Sequence, residues 1–560
     1  MDIFNIEPMK DLLKKVNSNS ELEIIFNKSN PLTINKFIDM LKYMTVLSKN
    51  KNYKLVKEST LDVSYSMYVN KDIVNYRITI SNIDNINKII NNVKLRKNHV
   101  IFSLLVNYLL NDYKDMSIMK KTKLDKNMVD IENYDMRIRL SDENEVSKDE
   151  LKKLLNLDEN ERHNIRYRFK ERISVVLSAD DKHELKIDLT QTKQVNNIND
   201  ITKAISRYEL EMDLSVFDKF DVKKIIDKMN EYSENIYKNL NTSNNIITTQ
   251  EQRLVLDKYK ELVYGDKENL NKDLAGMQVT SLEIQYLVDQ VPSKYCVTDK
   301  ADGDRYFLFI TEGIVYLISN NLHVIKTDHV SDKKYDNTLI DGELIYIGKD
   351  KKYIFLGFDI LFENGVDIRD TIKMNERYAK LSENIQKIFG SKFKYTKYEG
   401  DFDILKIRDH TEKQVKSYIT DLNNSIKNDK SLFLIKYKFY AFPQGGNSCE
   451  IFNYSTKMWE LYTKELDCPY ILDGLIYAPL EQKYTRSLKE TKYKNLKWKP
   501  KEKNSIDFYI EFEKDNKNEI LNVFDDSNAR DVSDTSDIGE QSLLDSTNIK
   551  NSGKIYRIAN

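Results

Sequence analysis

Polar and apolar residues alternate over long stretches of the first 220 positions. Glu21-Leu22-Glu23-Ile24-Ile25-Phe26 sets the pattern, and 76–80, 135–140, 165–177, 185–190 and 207–214 repeat it. A period of two predicts strands with one face buried and one face polar. Helices are predicted over 9–16, 100–112 and 222–240. Residues 241–249 are mostly polar and read as a linker. A helix over 250–262 opens a second unit, which mixes strands and helices as far as about residue 512. Within it, Tyr295-Cys296-Val297-Thr298-Asp299 and Tyr306-Phe307-Leu308-Phe309-Ile310 are strand-like and flank a tight turn. Beyond 512 the pattern fades; 525–537 is acidic, contains serine and is poor in hydrophobic residues, which predicts a mobile segment. No fixed-period repeat is present. The expected organisation is a strand-rich unit over 1–240, a linker over 241–249, a second unit over 250–512 and a polar tail over 513–560.

Composition bounds this picture without deciding it. A chain of 560 residues suggests three or four units at about 150 each. Hydrophobic residues make up 40%, enough for sizeable cores, and 35 Tyr with 22 Phe suit strand-rich domains. The 88 basic residues nearly cancel the 89 acidic ones, so any site for RNA or nucleotide must be a local basic patch. Cys296, Cys449 and Cys468 lack metal-ligand spacing and read as reduced thiols of a cytosolic protein. The chain does not open like a signal peptide, and no run approaches ~18 apolar residues, so no membrane association is expected.

The turn in the second unit carries the first chemical signal. It reads Lys300-Ala301-Asp302-Gly303-Asp304-Arg305. A lysine beside a tight Asp-Gly turn can sit in a nucleotide pocket and act as a nucleophile, provided nearby cations or burial favour its neutral form. Four further elements follow. Asp341-Gly342-Glu343 reads as a turn entering a strand, and Gly357-Phe358-Asp359 places an aromatic near a strand end. Asp473-Gly474 opens a second turn-to-strand element, and Leu496-Lys497-Trp498-Lys499-Pro500 puts two lysines on one strand face. Two lysines can neutralise a triphosphate, a carboxylate can hold Mg²⁺ or a ribose hydroxyl, and an aromatic can stack on a purine. Singly, each has a plainer explanation as a turn, a core aromatic or a solvated strand face.

The first unit carries a second signal. Glu21 and Glu23 share one strand face, as do Glu209 and Glu211. Between them run Arg137 and Arg139, and then Arg166, Arg168, Lys170 and Arg172, each alternating with other residues. In a closed barrel, four inward carboxylates would make an oxygen-rich site for Mg²⁺ or Mn²⁺, and the basic strands would bind a polyphosphate. The alternative is amphipathic strands with their charges turned to water.

Taken in order, the five elements of the second unit resemble the covalent nucleotidyltransferase superfamily, over roughly residues 275–510. That superfamily comprises mRNA capping guanylyltransferases and ATP- or NAD-dependent ligases. The wordings Lys-Ala-Asp-Gly-x-Arg, Asp-Gly-Leu-Ile-Tyr and Leu-Lys-Trp-Lys-Pro, with Asn504-Ser505-Ile506-Asp507-Phe508 after them, resemble the capping branch. The resemblance implies that Lys300 attacks the α-phosphate of GTP and holds GMP as a phosphoamide. It implies ribose contacts for Arg305 and Glu343 and base stacking for Phe358. Further nucleotide contacts would come from Asp302 and Asp507, metal positioning from Asp473, and phosphate binding from Lys497 and Lys499.

The paired glutamates are similar to those of the tunnel-barrel, metal-dependent RNA triphosphatases. That likeness implies metal binding by Glu21, Glu23, Glu209 and Glu211. It also implies polar or phosphate-binding positions at Arg77, Arg137, Arg139, Glu143, Arg166, Arg168, Lys170, Lys186 and Asp188. The two units in this order closely resemble the large capping-enzyme subunit of poxviruses and related cytoplasmic viruses or linear plasmids. The fold implied is α+β: an N-terminal antiparallel tunnel barrel with helices, then a nucleotidyltransferase fold, then an incomplete or absent C-terminal OB fold. Implied partners are GTP, the 5′ end of nascent RNA, a small partner subunit and a cap methyltransferase in cis or in trans, in the cytoplasm, a virion or a viral factory. An ATP-dependent polynucleotide ligase and a catalytically silent RNA-binding scaffold remain as alternatives.

Overall fold

The computed structural model describes residues 7–503 except 18–19, 30, 70–71, 94–97, 112, 123–126, 156–161, 220, 242, 244, 270–273, 275, 446–449, 486 and 488–489, and beyond them 509–511 and 557–559. Asp507 and most of the tail lie outside the described residues.

The first nine strands are β1 (Ser20–Phe26), β2 (Leu55–Val69), β3 (Asp72–Ser81), β4 (Met116–Thr122), β5 (Met128–Ile131), β6 (Met136–Glu145), β7 (Arg162–Ala179), β8 (His183–Val195) and β9 (Arg207–Val216). Eight of them pair antiparallel in the order β1-β9-β8-β7-β2-β3-β4-β6, and β6 pairs back onto β1, which closes a barrel. The short β5 adds to the free side of β6. Closure leaves no edge along this ring.

The apolar face of each strand points outward. Leu22, Ile24 and Phe26 of β1 and Leu210, Met212 and Leu214 of β9 share a core with residues of the helices Glu7–Lys15, Ile34–Lys51 and Val222–Leu240. Leu61 and Val63 of β2 and Ile78 and Ile80 of β3 share a second core with the helices Ile83–Val93 and Asn98–Leu110. Each such side chain contributes roughly 1.5–3 kcal/mol by leaving water. Two flanking cores of this kind oblige the alternating charged face to line the barrel, so the charges are not turned to bulk water.

The second unit holds two sheets. One runs β10 (Val279–Ser281), β21 (Asn495–Trp498), β20 (Leu472–Pro479), β11 (Tyr295–Ala301) and β19 (Tyr440–Ala441) in spatial order. The other runs β14 (Val324–Val330), β13 (Ile314–Ser319), β12 (Asp304–Thr311), β15 (Thr338–Ile347), β16 (Lys352–Glu363) and β17 (Val366–Asp367), with β18 (Phe433–Tyr437) parallel to β16. One core joins Val297 and Leu475 of the first sheet to Leu308, Ile340 and Leu356 of the second. The chain passes directly between the two sheets at the short turn from β11 to β12, which carries Lys300 to Arg305, and again at the short link from β18 to β19.

The stretch expected to be a linker is pinned where it is described. Ser243 Oγ donates to Lys326 O at 2.6 Å, and Asn245 Nδ2 donates to Thr327 O at 2.9 Å. β14 is a sheet edge, and these polar side chains dock the segment onto its backbone carbonyls. Near the end of the chain, β22 (Tyr509–Glu511) pairs antiparallel with β23 (Arg557–Ala559). Among the described residues no helix is long and apolar enough to cross a membrane.

Candidate active sites

Inside the barrel the wall of β9 and β1 is acidic, and the strands facing it carry mostly basic side chains, with Glu58 and Asp62 of β2 among them. Strand register makes Glu23 of β1 the neighbour of Asp213 on β9 and of Arg139 on β6. Asp188 of β8 lies opposite Glu211 of β9. The cavity measures about 170 Å³ and is lined by Glu21, Glu23, Glu58, Asp62, Glu211 and Asp213 together with Arg77, Arg139, Arg168, Lys170 and Arg172. Arg139 pairs with Glu23 and Arg168 with Glu209. Arg172 reaches Asp188 at 2.9 Å and Glu211 at 4.0 Å, and Lys170 pairs with Asp62.

Negative charge is in excess on the β8–β9–β1 wall. Burial, then the charges of Glu23 and Glu209, push the Glu211 carboxyl above its ordinary range. Burial, then Glu21, Asp188 and Glu211, push Asp213 up further. Asp213 Oδ1 is buried without a hydrogen-bond partner. The donor set therefore suits a hard divalent cation, which takes oxygen ligands and would relieve this repulsion. Among the described residues no three Asp, Glu, His or Cys side chains already converge at metal distance, because Glu23 and Glu209 hold arginines.

In the second unit a cleft opens between the two sheets. Lys300, at the end of β11, donates to Asp473 of β20. Lys499 approaches the same Asp473 oxygen at 2.8 Å. Burial alone would raise the Asp473 carboxyl, but these two lysines hold it below its ordinary value. Gly474 permits this arrangement. A Cβ there would lie 1.9 Å from Trp498 O, so only glycine lets β21 cross close enough for Lys499 to reach.

Across the cleft, Arg305 Nε donates to Asp341 Oδ1 at 3.0 Å, and Tyr484 also donates to that carboxylate. The Arg305 guanidinium lies 5.7 Å from the centroid of the Phe358 ring. Asp341-Gly342-Glu343 is mid-strand with a bulge, not a turn, and a Cβ on Gly342 would strike the Phe355 ring at 2.2 Å. Glu343 accepts from Gly303 N at 3.2 Å and from Lys438 Nζ at 2.6 Å. Arg377 binds Asp359 through two bonds, of 2.9 and 3.0 Å, at the cleft's far side.

Residues 221–430 match the family described as mRNA capping enzyme, catalytic domain. This likeness is to a capping-enzyme catalytic domain and covers a little over a third of the chain. A probable mRNA-capping enzyme of Acanthamoeba polyphaga mimivirus is 29% identical over 514 residues, which are 89% of this chain and 41% of that protein. The mRNA-capping enzyme subunit alpha of Schizosaccharomyces pombe is 26% identical over 42% of this chain and 53% of its own length. An African swine fever virus mRNA-capping enzyme is 23% identical over 42% of this chain and 20% of its own. The chain thus spans from a fifth to about half of these relatives. The solved mimivirus capping enzyme triphosphatase aligns with 42% of this chain and 96% of its own at 22% identity and a TM-score of 0.33. That score is too low to argue from, and the barrel stands on its own strand pairings.

The matched span holds Lys300, Arg305, Glu343 and Phe358, which line the cleft; Asp473 and Lys499 lie beyond that span and outside the cleft lining, and join it through the ion pairs of Asp473 with Lys300 and Lys499. Lys497 neither lines the cleft nor joins the Lys300–Asp473–Lys499 ion pairs, and Asp302 is exposed on the turn. In the barrel, Glu21, Glu23, Glu211, Arg77, Arg139, Arg168 and Lys170 line the cavity. Glu209 joins them through Arg168, and Lys186 lies 3.6 Å from Asp188. Two expected positions fall elsewhere. Arg137 pairs with Asp130 of β5 at 2.7 Å, at the barrel's end, and Arg166 is exposed. Both lie on the inward register but beyond the cavity. Glu143 sits on β6 opposite Lys121. Sequence pattern alone did not single out Glu58, Asp62, Asp213, Lys438 or Arg377. For Lys438 the available signal was a pair of lysines, Lys436 and Lys438, inside an otherwise apolar strand run.

Proposed function

We propose that this chain caps RNA in two steps, the first in the barrel over 1–240 and the second in the cleft over 250–512. The observation that carries this reading is the meeting of Lys300, Asp473 and Lys499 at a cleft that also presents Phe358 and Arg305. A neutral Lys300 Nζ attacks the α-phosphorus of GTP. The new P–N bond replaces the bond to pyrophosphate, which leaves. A β-phosphate oxygen of 5′-diphosphate RNA then attacks the same phosphorus, and the amine of Lys300 departs. Asp473 holds Lys300 and Lys499 in place, Lys499 offsets phosphate charge, and Phe358 offers its face to the base. Arg305 acts through Asp341 as a rigid wall beside the sugar. Asp507 would add a nucleotide contact.

The barrel removes the γ-phosphate that would otherwise block this transfer. Arg139, Arg168, Lys170 and Arg172, with Arg77 and Lys186, bind and orient the polyphosphate, and electrostatic preorganisation of this kind is a large part of such catalysis. Glu21, Glu23, Glu209 and Glu211 would hold Mg²⁺ or Mn²⁺, which when bound neutralises charge on the transferring phosphoryl group. The protein would act in the cytoplasm on nascent transcripts. The direct test is release of labelled phosphate from γ-labelled triphosphate RNA, with Mg²⁺ or Mn²⁺ supplied. Glu21→Ala should lower release by at least ~100-fold, on the scale of losing a group that stabilises the transition state. Unchanged release would remove the barrel from the reaction.

A further inference from the structure

Behind the cleft lies a buried polar network that the steps above do not use. Lys438, only 3% exposed at its side chain, follows β18 and lines the cleft floor. Two of its three N–H groups are engaged, one by Glu343 Oε2 at 2.6 Å and one by the backbone oxygen of Asp299 at 3.1 Å. The Asp299 carboxylate lies 3.6 Å away and is fully buried. Asp299 immediately precedes Lys300 on β11, so alternation turns its side chain to the opposite face, away from Asp473. There the Tyr470 hydroxyl donates to its Oδ2 at 3.2 Å. Tyr418 and Tyr462 are also buried, and their hydroxyls have no hydrogen-bond partner among the described residues. Tyr462 sits on the π-helical turn Leu461–Glu465, an element that occurs often at functional sites.

A buried carboxylate is costly unless it is paired and hydrogen-bonded. Asp299 is paired with one cation, Lys438, and a buried lysine needs such a partner to keep its charge. Glu343 alone is a divided partner, since it also accepts from Gly303 N. We propose that Asp299, held by Tyr470, is a positioning residue that keeps the Lys438 ammonium charged and aimed into the nucleotide cleft. This inference rests on the guanylyltransferase reading of that cleft. Asp299 does not touch the nucleotide; it acts through Lys438, and its effect falls on binding of the substrate more than on bond making.

The test is steady-state transfer of GMP to 5′-diphosphate RNA by the full chain, with GTP varied, for wild type, Asp299→Asn and Tyr470→Phe. Asp299→Asn keeps the volume and removes the charge. Its KM for GTP should rise about tenfold, as when a charged hydrogen-bonding partner is lost, with kcat changed much less. Tyr470→Phe should move KM the same way by a smaller factor, and it remains informative if Asp299→Asn does not fold. The thermal melt of each variant, compared with wild type, monitors its folding. Unchanged KM in both variants, or a fall in kcat at constant KM, would overturn the inference and leave Asp299 a packing residue. A wild-type chain that forms no adduct would overturn the guanylyltransferase reading itself and this inference with it.

Discussion

Asp473 holds both lysines at the mouth of the cleft, and the glycine after it sets how closely they meet. Gly474→Ala would place a methyl 1.9 Å from Trp498 O and force β21 outward, carrying Lys499 from Asp473. Adduct formation should fall on the order of 100-fold, the usual effect of ångström-scale misplacement of reacting groups; quantitation of labelled protein checks this. Asp341 is a different case. It is fully buried and compensates Arg305, so Asp341→Ala leaves a partly buried guanidinium without its carboxylate and should cost about 1–3 kcal/mol, measured by urea denaturation. The sequence made Lys300 and Arg305 legible because their six-residue turn is dense with meaning. Asp341 was read only as part of an Asp-Gly turn, because a one-dimensional pattern does not reveal that Arg305 will fold back onto it. Lys438 escaped for a related reason: a lysine within an apolar strand run gains significance only when Asp299 and Glu343 arrive from other strands.

At the scale of elements, strand alternation was the most readable feature. β1, β7, β8 and β9 fall where the period of two predicts them, each somewhat longer than expected. The pattern does not say which face turns inward; the helices packed on the apolar face decide that. It also does not locate the ends of a cavity, which is why Arg137 and Arg166 share the inward register yet lie beyond it. One contact between elements of the two units is polar. Lys36, on the helix Ile34–Lys51, lies 3.4 Å from His323 Nε2, in the turn between β13 and β14. Burial, then the charge of Lys36, lowers His323 to about 4 from 6.5. The unfolded chain therefore takes up this proton first as pH falls, and stability is lost between about pH 6.5 and 4, by at most ~3 kcal/mol. His323→Gln should flatten the fall of the thermal midpoint over that window. An identical pH profile in the variant would mean that His323 is not confined at this contact.

For the whole molecule, the arrangement matters because, on the proposed reading, one site makes what the other consumes. The barrel has its own cores on its outer faces, and the cleft has another between its sheets. Damage to one centre should therefore spare the other: Glu21→Ala should lose phosphate release yet take up GMP at the wild-type level, measured on the same preparation. Loss of both would mean that the units do not fold independently. The two-unit order was legible because each unit carries a separate motif set, whereas the docking of 243–245 onto the edge of β14 was not, because polar loop residues look alike whether solvated or bound. The central claim is that Lys300 forms a covalent bond with GMP. The measurement is incubation with α-labelled GTP or ATP and Mg²⁺, followed by denaturing electrophoresis, for wild type and Lys300→Ala. The account predicts an acid-labile label from GTP, absent in the variant. A label from ATP instead would make the protein a ligase, and no label from either nucleotide would contradict covalent transfer at this cleft.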